Sequence, residues 1–360
     1  MRSDPAAIAL TEHLQRAERE AAGVRQALLD AGTPAPVDVL GRIFGLSPLE
    51  QALLVMALAP RVDAAFEQLY GYAHDRLSVV HATQHLAEAL LAPDVRPLDI
   101  RRALLPESPL RRFRLIEQQA LPGRVDMSLL APIMLDERMA DFLLGLNYLD
   151  PGAAEYLDPV APALPAPCHL PLLRPLVSAL GDDSRPAVDL VGEPRSGRRG
   201  FAAALAAEAG MTLVRLRLER LPAELARRLA QLRRIEREAA LLRLAVFVDA
   251  ASADGGESNR ATALEDVLER LEAFAIVASG QPVHSQRPIR YVHLPKPDAA
   301  SRRALWRQAL SAATSEADES EVRSLAAHFD LDSTEILQIA REAAAADGTS
   351  GERILWQVAR

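Results

Sequence analysis

The sequence predicts an α/β protein in two parts: a helical N-terminal domain with a small hairpin, then a parallel sheet covered by helices and followed by a helical bundle. Three observations predict it. Apolar helical segments fill the first hundred residues and give way to two strand-like runs. Seven prolines crowd residues 151–175. Beyond them strand-like and helix-like segments alternate through five strands, the pattern of a parallel, doubly wound sheet.

The elements follow in order. Residues 5–31 carry helical periodicity through Ile8, Leu10, Leu14, Val24, Leu28 and Leu29. Residues 1–36 are therefore read as an N-terminal helix. "LSPLEQALLVMALAP" opens with Ser47 as cap, Pro48 at the first helical position and Glu50 to close a capping box. Ser78 before "VVHATQHLAEALL" reads as a second such start, and "DIRRALL" follows. "LRRFRLIEQ" and "DMSLLAPIML" read as strands. Helices followed by a hairpin predict a winged-helix-like domain over 37–150. The prolines at 151, 159, 162, 165, 167, 171 and 175 predict a linker over 151–175, since that density interrupts helix and central strand.

Over 176–297 the predicted strands are "AVDLVG", "MTLVRLRL", "RLAVFVDA", "AIVASG" and "IRYVHLP". Between them lie helices in "GRRGFAAALAAEAG", from Pro222 to about Leu242, and in "ATALEDVLERLEAF". Residues 298–360 read as four helices, a lid-like bundle ending in "GERILWQVA".

Composition narrows the function. The formal charge is −8, with 22 acidic and 16 basic residues over 1–175 and 27 and 25 over 176–360. Neither half carries the basic footprint that nucleic acid or an anionic membrane would select. Cys168 is the only cysteine, so no intrachain disulfide forms and a reducing, cytoplasmic location is expected. No apolar run reaches the roughly 18 residues of a membrane span. Of 41 basic residues only Lys296 is a lysine, so an arginine at any one place says little. His74, His81 and His85 lie close in sequence, but without a cysteine or a third fixed ligand no metal site is expected.

The chemistry-bearing stretch is "VGEPRSGRRG", residues 191–200. It approaches the phosphate-binding pattern G-x-x-x-x-G-K-[ST]. Gly192 and Gly197 keep the spacing, with Ser196 between them; Arg198 replaces the lysine and Arg199 the hydroxyl residue. Lysine brings a compact charge to the phosphates, whereas arginine brings a long planar fork. The hydroxyl ligates Mg²⁺, and a guanidinium repels it.

This order resembles an AAA+ module. A phosphate-loop-like turn follows the first strand, Asp249 ends the third, Ser279 ends the fourth and a helical lid follows. The chain as a whole resembles the N-terminal half of a bacterial AAA-family ATPase, a winged-helix domain joined to a degenerate first AAA+ module and followed by an intact second one. The segments that carry the likeness are "LSPLEQALLVMALAPRVD", "LYGYAHD", "LDERMADFLLG", "LPKPDAASRRALWRQAL" and "LAAHFDLDSTEIL". Some relatives are encoded with contractile injection systems, where an ATPase accompanies the tail machinery.

The resemblance implies roles and exposes departures. Asp249 matches the metal-associated acid of Walker B, but Ala250 stands where the water-activating glutamate belongs. Loss of that base removes roughly 10²–10⁴ in rate. Ser279 matches the polar residue that orients water. Arg287 is the nearest candidate for an arginine finger, and the role is not transferred to it; Arg341 comes late for a lid sensor. The expectation is a structural or regulatory module that lacks hydrolysis of its own, has no catalytic residue, and retains vestigial binding positions at Gly192, Ser196, Gly197, Arg198, Arg199, Asp249 and Ser279. Its expected partners are proteins, a second AAA+ module or copies of itself. Weak or regulatory binding of ATP with Mg²⁺ is one alternative; a winged-helix DNA-binding regulator is the other.

Overall fold

The computed structural model describes residues 5–91, 95–118, 129–160, 163–180, 187–250, 257–313 and 319–345. The chain divides into two compact units, Met1–Tyr148 and Leu149–Arg360.

The first unit holds eight helices and a two-stranded sheet among its described residues. The helices are α1 (Pro5–Asp30), α2 (Pro36–Phe44), α3 (Pro48–Val62), α4 (Ala65–Ala73), α5 (Gln84–Leu91), α6 (Pro97–Ala103), α7 (Pro109–Arg112) and α8 (Glu137–Leu143). Strands β1 (Ile116–Gln118) and β2 (Ile133–Leu135) pair antiparallel, Ile116 opposite Leu135. Leu40, Leu53, Leu54, Ile100, Leu110 and Leu115 are fully buried and form the centre. The α3 start is as the sequence predicts. Ser47 Oγ accepts from Glu50 N, and the Glu50 carboxylate accepts from Ser47 N at 2.8 Å.

Two local expectations are corrected. Ser78 caps no helix: α5 begins at Gln84, and Thr83 Oγ1 accepts the Leu86 N–H at 3.0 Å. Thr83 is the stronger start because it is fully buried and also bonds His74 Nε2 at 2.8 Å. "LRRFRLIEQ" is only partly strand, because Pro109 starts a helical turn that runs to Arg112 before β1 begins.

The second unit is a mixed sheet with helices on both faces. Its strands are β3 (Leu157–Pro159), β4 (Ala187–Val191), β5 (Thr212–Leu216), β6 (Leu244–Asp249), β7 (Ala275–Ser279) and β8 (Ile289–His293). They lie in the order β3-β5-β6-β7-β4-β8; β3 is antiparallel to β5 and all other neighbours are parallel. Helix α9 (Pro151–Ala154) precedes β3, and the helices between the strands are α10 (Leu170–Leu180), α11 (Arg198–Glu208), α12 (Leu225–Leu242) and α13 (Glu257–Arg270). Successive strand residues point to opposite faces. Val188, Leu190, Phe247 and Ile276 pack with Phe201 and Leu205 of α11 and Leu173 and Leu176 of α10. Val246, Val248 and Val277 pack on the other face with Leu232 and Ile235 of α12 and Val267 of α13. Burial on both faces is why these strands read as continuous apolar runs.

The segment predicted as a linker is built into this unit. Its β3 adds a sixth strand to the five foreseen, and α10 supplies core. The prolines mostly stand where proline costs little. Pro151 and Pro167 open helical turns, and Pro159 lies on an edge strand. Pro175 lies inside α10, and the burial of Leu173, Leu176 and Leu180 offsets the hydrogen bond it removes. The start of the segment is tied to α12 by a buried ionic group. Arg237 pairs with both Asp150 and Glu238, and Asp150 N donates to Glu238 at 3.3 Å.

Helices α14 (Ala299–Ala313), α15 (Glu319–His328) and α16 (Ser333–Ala345) follow the sheet. They close around the fully buried Trp306, with Leu305, Val322, Leu325, Ile336 and Ala340. Ala166 of the proline-rich segment joins this core. The predicted last helix in "GERILWQVA" lies outside the described residues, as does the beginning of "DMSLLAPIML". No described helix is long and apolar enough to cross a membrane.

Candidate functional site

The site forms where β4 ends, between the carboxyl ends of β7 and β8. Chain order reverses here: β5, β6 and β7 lie on one side of β4 and β8 on the other. In open parallel sheets such a reversal leaves a crevice at the strand ends. Gly192 N donates to Ser279 O at 3.1 Å, and Leu294 N to Val191 O at 2.8 Å, so the start of the turn is pinned from both sides. A Cβ on Gly192 would lie 2.5 Å from Ser196 Oγ and 2.7 Å from Leu294 O, which is why the position takes glycine. The turn closes through left-handed Arg195 and Gly197, at φ 63° and 83°, and α11 begins at Arg198. Gly197 adopts that conformation readily; Arg195 does so at a cost.

Five of the residues singled out in the sequence line one small cavity: Ser196, Gly197, Arg198, Arg199 and Asp249, together with Asp332 of the helical tail. Its volume is about 70 Å³. Pockets that bury a ligand of nucleotide size run to roughly 300–1,000 Å³. This one has room for about two waters or one small anion.

Arg198 turns inward. Its Nη1 donates to the Ser279 carbonyl at 2.6 Å. The guanidinium thus fastens α11 to the end of β7 while the residue still lines the cavity. Ser279 is not among the residues that line the cavity. Its hydroxyl donates to Asp189 Oδ1 at 2.6 Å, on the strand side. Asp189 is fully buried in β4 and accepts a second bond from Val283 N at 2.9 Å. Burial pushes its carboxyl above the usual aspartate range, and the Ser279 bond, the Val283 N–H and the Arg198 charge oppose that rise. The sequence signal for Asp189 is an acid within the apolar run "AVDLV", a position that the phosphate-loop pattern does not include.

Asp249 ends β6, its carbonyl accepting from Arg260 at 2.5 Å, and Ala250 N is spent on Ala278 O at 2.9 Å. No carboxylate follows Asp249 along the strand. Arg287 is spent too. Its guanidinium donates to the Leu271 carbonyl and to Ala273 O at 3.2 Å, and burial lowers its pKa. These bonds tie it to its own unit.

Residues distant in sequence complete the site. Asp332 caps α16 by accepting from Thr334 N at 2.8 Å and Glu335 N at 2.9 Å, and this cap lies at the cavity. A Cβ on Gly200 would lie 2.3 Å from Leu164 O and 2.6 Å from Ser333 Oγ, so the proline-rich segment and α16 sit directly on the first turn of α11. Lys296 reaches Glu193 at 3.5 Å and Asp330 at 3.7 Å, and Arg195 reaches Glu335 at 3.9 Å. His169 is fully buried beside Gly197, with Nε2 bonded to Pro295 O at 2.9 Å. Among the described residues, Ser196 Oγ, His169 Nδ1 and Ser333 Oγ are buried without a hydrogen-bond partner. Chemically, then, the turn offers backbone N–H groups and arginines suited to one small anion. It offers neither a Mg²⁺-ligating hydroxyl at 199 nor a base at 250.

A larger hollow of about 590 Å³ lies in the first unit, and none of these groups lines it. Val37, Ala52, Val55, Met56, Phe66 and Leu90 give it an apolar lining.

Residues 2–157 match the family model described as a variant winged helix domain. Residues 298–360 match that of a contractile injection system ATPase helical domain. No curated protein matches the chain. The second match relates the helical tail to an ATPase-associated protein, and α14 to α16 are the described part of it.

Proposed function

We propose that this chain is an AAA+-type module carried behind a winged-helix domain, that its nucleotide site no longer hydrolyses ATP, and that it works by holding protein partners. The parallel sheet, the glycine turn after β4, Asp249 at the end of β6 and the ATPase-type helical tail support the module. One observation carries the loss of chemistry. The cation that should lie along the phosphates is fastened to the Ser279 carbonyl, over a cavity of about 70 Å³. That Arg198 donor is spent on a backbone carbonyl at the strand end, and arginine does not replace the compact, mobile ammonium of the usual lysine. Ala250 and Arg199 remove the base and the metal ligand, so occupancy by a small anion would still leave nothing to activate water.

The partner is a protein: a second ATPase module, another subunit, or a component of the injection-type machinery to which the tail's family refers. The acidic balance of residues 1–175 disfavours duplex DNA for the winged-helix unit. The test is calorimetric titration of ATP–Mg²⁺ into the chain and into Arg198→Lys/Arg199→Thr. The expected outcome is no saturable heat with the parent chain. Micromolar binding by the parent that the double substitution leaves unchanged overturns the proposal.

A further inference from the structure

Helix α1 is 26 residues long. Its side chains from Glu12 to Ala27 are exposed, and Leu14 and Val24 are 59% and 62% exposed. Leu14, Ala17, Ala21, Val24 and Leu28 follow one another at intervals of three, four, three and four residues. In sequence the same spacing extends back to Leu10. That is the seam of a left-handed coiled coil, with Leu14, Ala21 and Leu28 at a positions and Ala17 and Val24 at d positions. From Leu14 to Leu28 the seam runs about 21 Å along one helix, and that apolar surface stays in water unless a second helix covers it.

The flanking charges select the partner and its direction. His13 and Glu20 fall at g positions, Glu18 and Arg25 at e positions. In a parallel pair, g of one helix faces e of the next heptad on the other. Glu20 then meets Arg25 of the second copy, and His13 meets Glu18. An antiparallel pair centred between Ala17 and Ala21 would instead set Glu18 against Glu18 and Glu20 against Glu20. The two alanine layers let the backbones approach closely where the charges engage. Within its own chain Arg25 holds Asp38 and Gln51, and Glu20 holds Arg16 at 3.0 Å, but both stay exposed enough to exchange these partners, Arg25 at 52% and Glu20 at 66%.

We infer that α1 is a self-association helix, and that two copies of this chain join through a parallel two-stranded coiled coil along Leu14, Ala17, Ala21, Val24 and Leu28. This is independent of the reading of the glycine turn. The test measures mass by sedimentation at micromolar concentration for the full chain, for Leu14→Glu/Val24→Glu, and for Leu14→Cys in a Cys168→Ser background. The chain is expected at twice its 39.1 kDa mass and the double glutamate variant at half the mass of the parent, with helical circular dichroism kept because both sites are exposed. Under mild oxidation the thiol introduced by Leu14→Cys is expected to join its counterpart on the second copy, since parallel packing brings like a positions together. A monomeric parent, or a glutamate variant with the parent's mass, overturns the inference. A dimer of the Leu14→Cys variant that fails to cross-link overturns the parallel arrangement.

Discussion

The hollow at the glycine turn and the hollow in the first unit differ in volume, about 70 against 590 Å³, and in what holds them open or shut. At the turn, backbone meets backbone. Gly192 and Gly200 have no room for a methyl group, Arg198 is tied across to β7, and the cap of α16 lies over the opening. In the first unit the walls are single side chains. Val55 is 49% exposed, Leu90 57%, and α1 is open to solvent from Glu12 to Ala27. The difference teaches where substitutions act. A region fixed by crossing backbone resists change, whereas a surface of separate side chains accepts it and is free to meet another molecule.

Three substitutions sharpen or break that contrast. The largest effect is expected from Phe201→Ala. Phe201 is fully buried under the turn, edge-on to His169 with ring centroids 6.2 Å apart. Its loss should cost about 3–5 kcal/mol. Both tryptophans, Trp306 and Trp356, belong to residues 149–360, so tryptophan fluorescence in a urea titration reads this unit selectively. A change under about 1 kcal/mol would mean that the region beneath the turn repacks freely.

Gly200→Ala follows. In an exposed helix interior this exchange stabilises by about 1 kcal/mol. Here the new Cβ would meet Leu164 O at 2.3 Å, and overpacking is expected to cost about 1–3 kcal/mol instead. The same urea titration checks it. A gain in stability would show that α16 and the proline-rich segment lift off α11 without cost.

Gly23→Ala should give the smallest effect and the opposite sign. Gly23 sits in α1 with nothing within 4 Å of where a methyl group would stand, so the ordinary propensity gain of about 0.5–1 kcal/mol applies. Thermal melting followed at the helical circular dichroism band should move upward. A downward shift would mean that a neighbour lies against that face.

Much of this architecture was legible because it rests on local signals. Apolar runs placed β4 to β8, and the Ser47–Glu50 box placed α3. The glycine spacing found the turn and, with it, four of the residues that share the cavity; Asp249 came from the likeness of its strand to Walker B. What stayed hidden depended on contacts across the fold. Proline density suggested a linker, yet the position of each proline matters more than the number. Pro151 and Pro167 sit at helical starts, Pro159 on a sheet edge, and Pro175 is tolerated because α10 buries three leucines. His169, Asp332 and Ser333 reach the turn only through tertiary packing, so no spacing rule finds them. Asp189 looked ordinary in the sequence, and its hydrogen bond to Ser279 appears only in the fold.

Lys296 has a practical consequence. It carries the chain's one side-chain ε-amine, 44% exposed, beside Glu193 of the turn and Asp330 ahead of α16. Side-chain acylation therefore has a single address, and its stoichiometry reads directly as one mass increment. Because acylation neutralises the cation held between two carboxylates, one labelling event severs the links to the turn and to the helical tail together. Amine-directed fluorophores or cross-linkers report from that junction and, apart from it, only from the chain's α-amine.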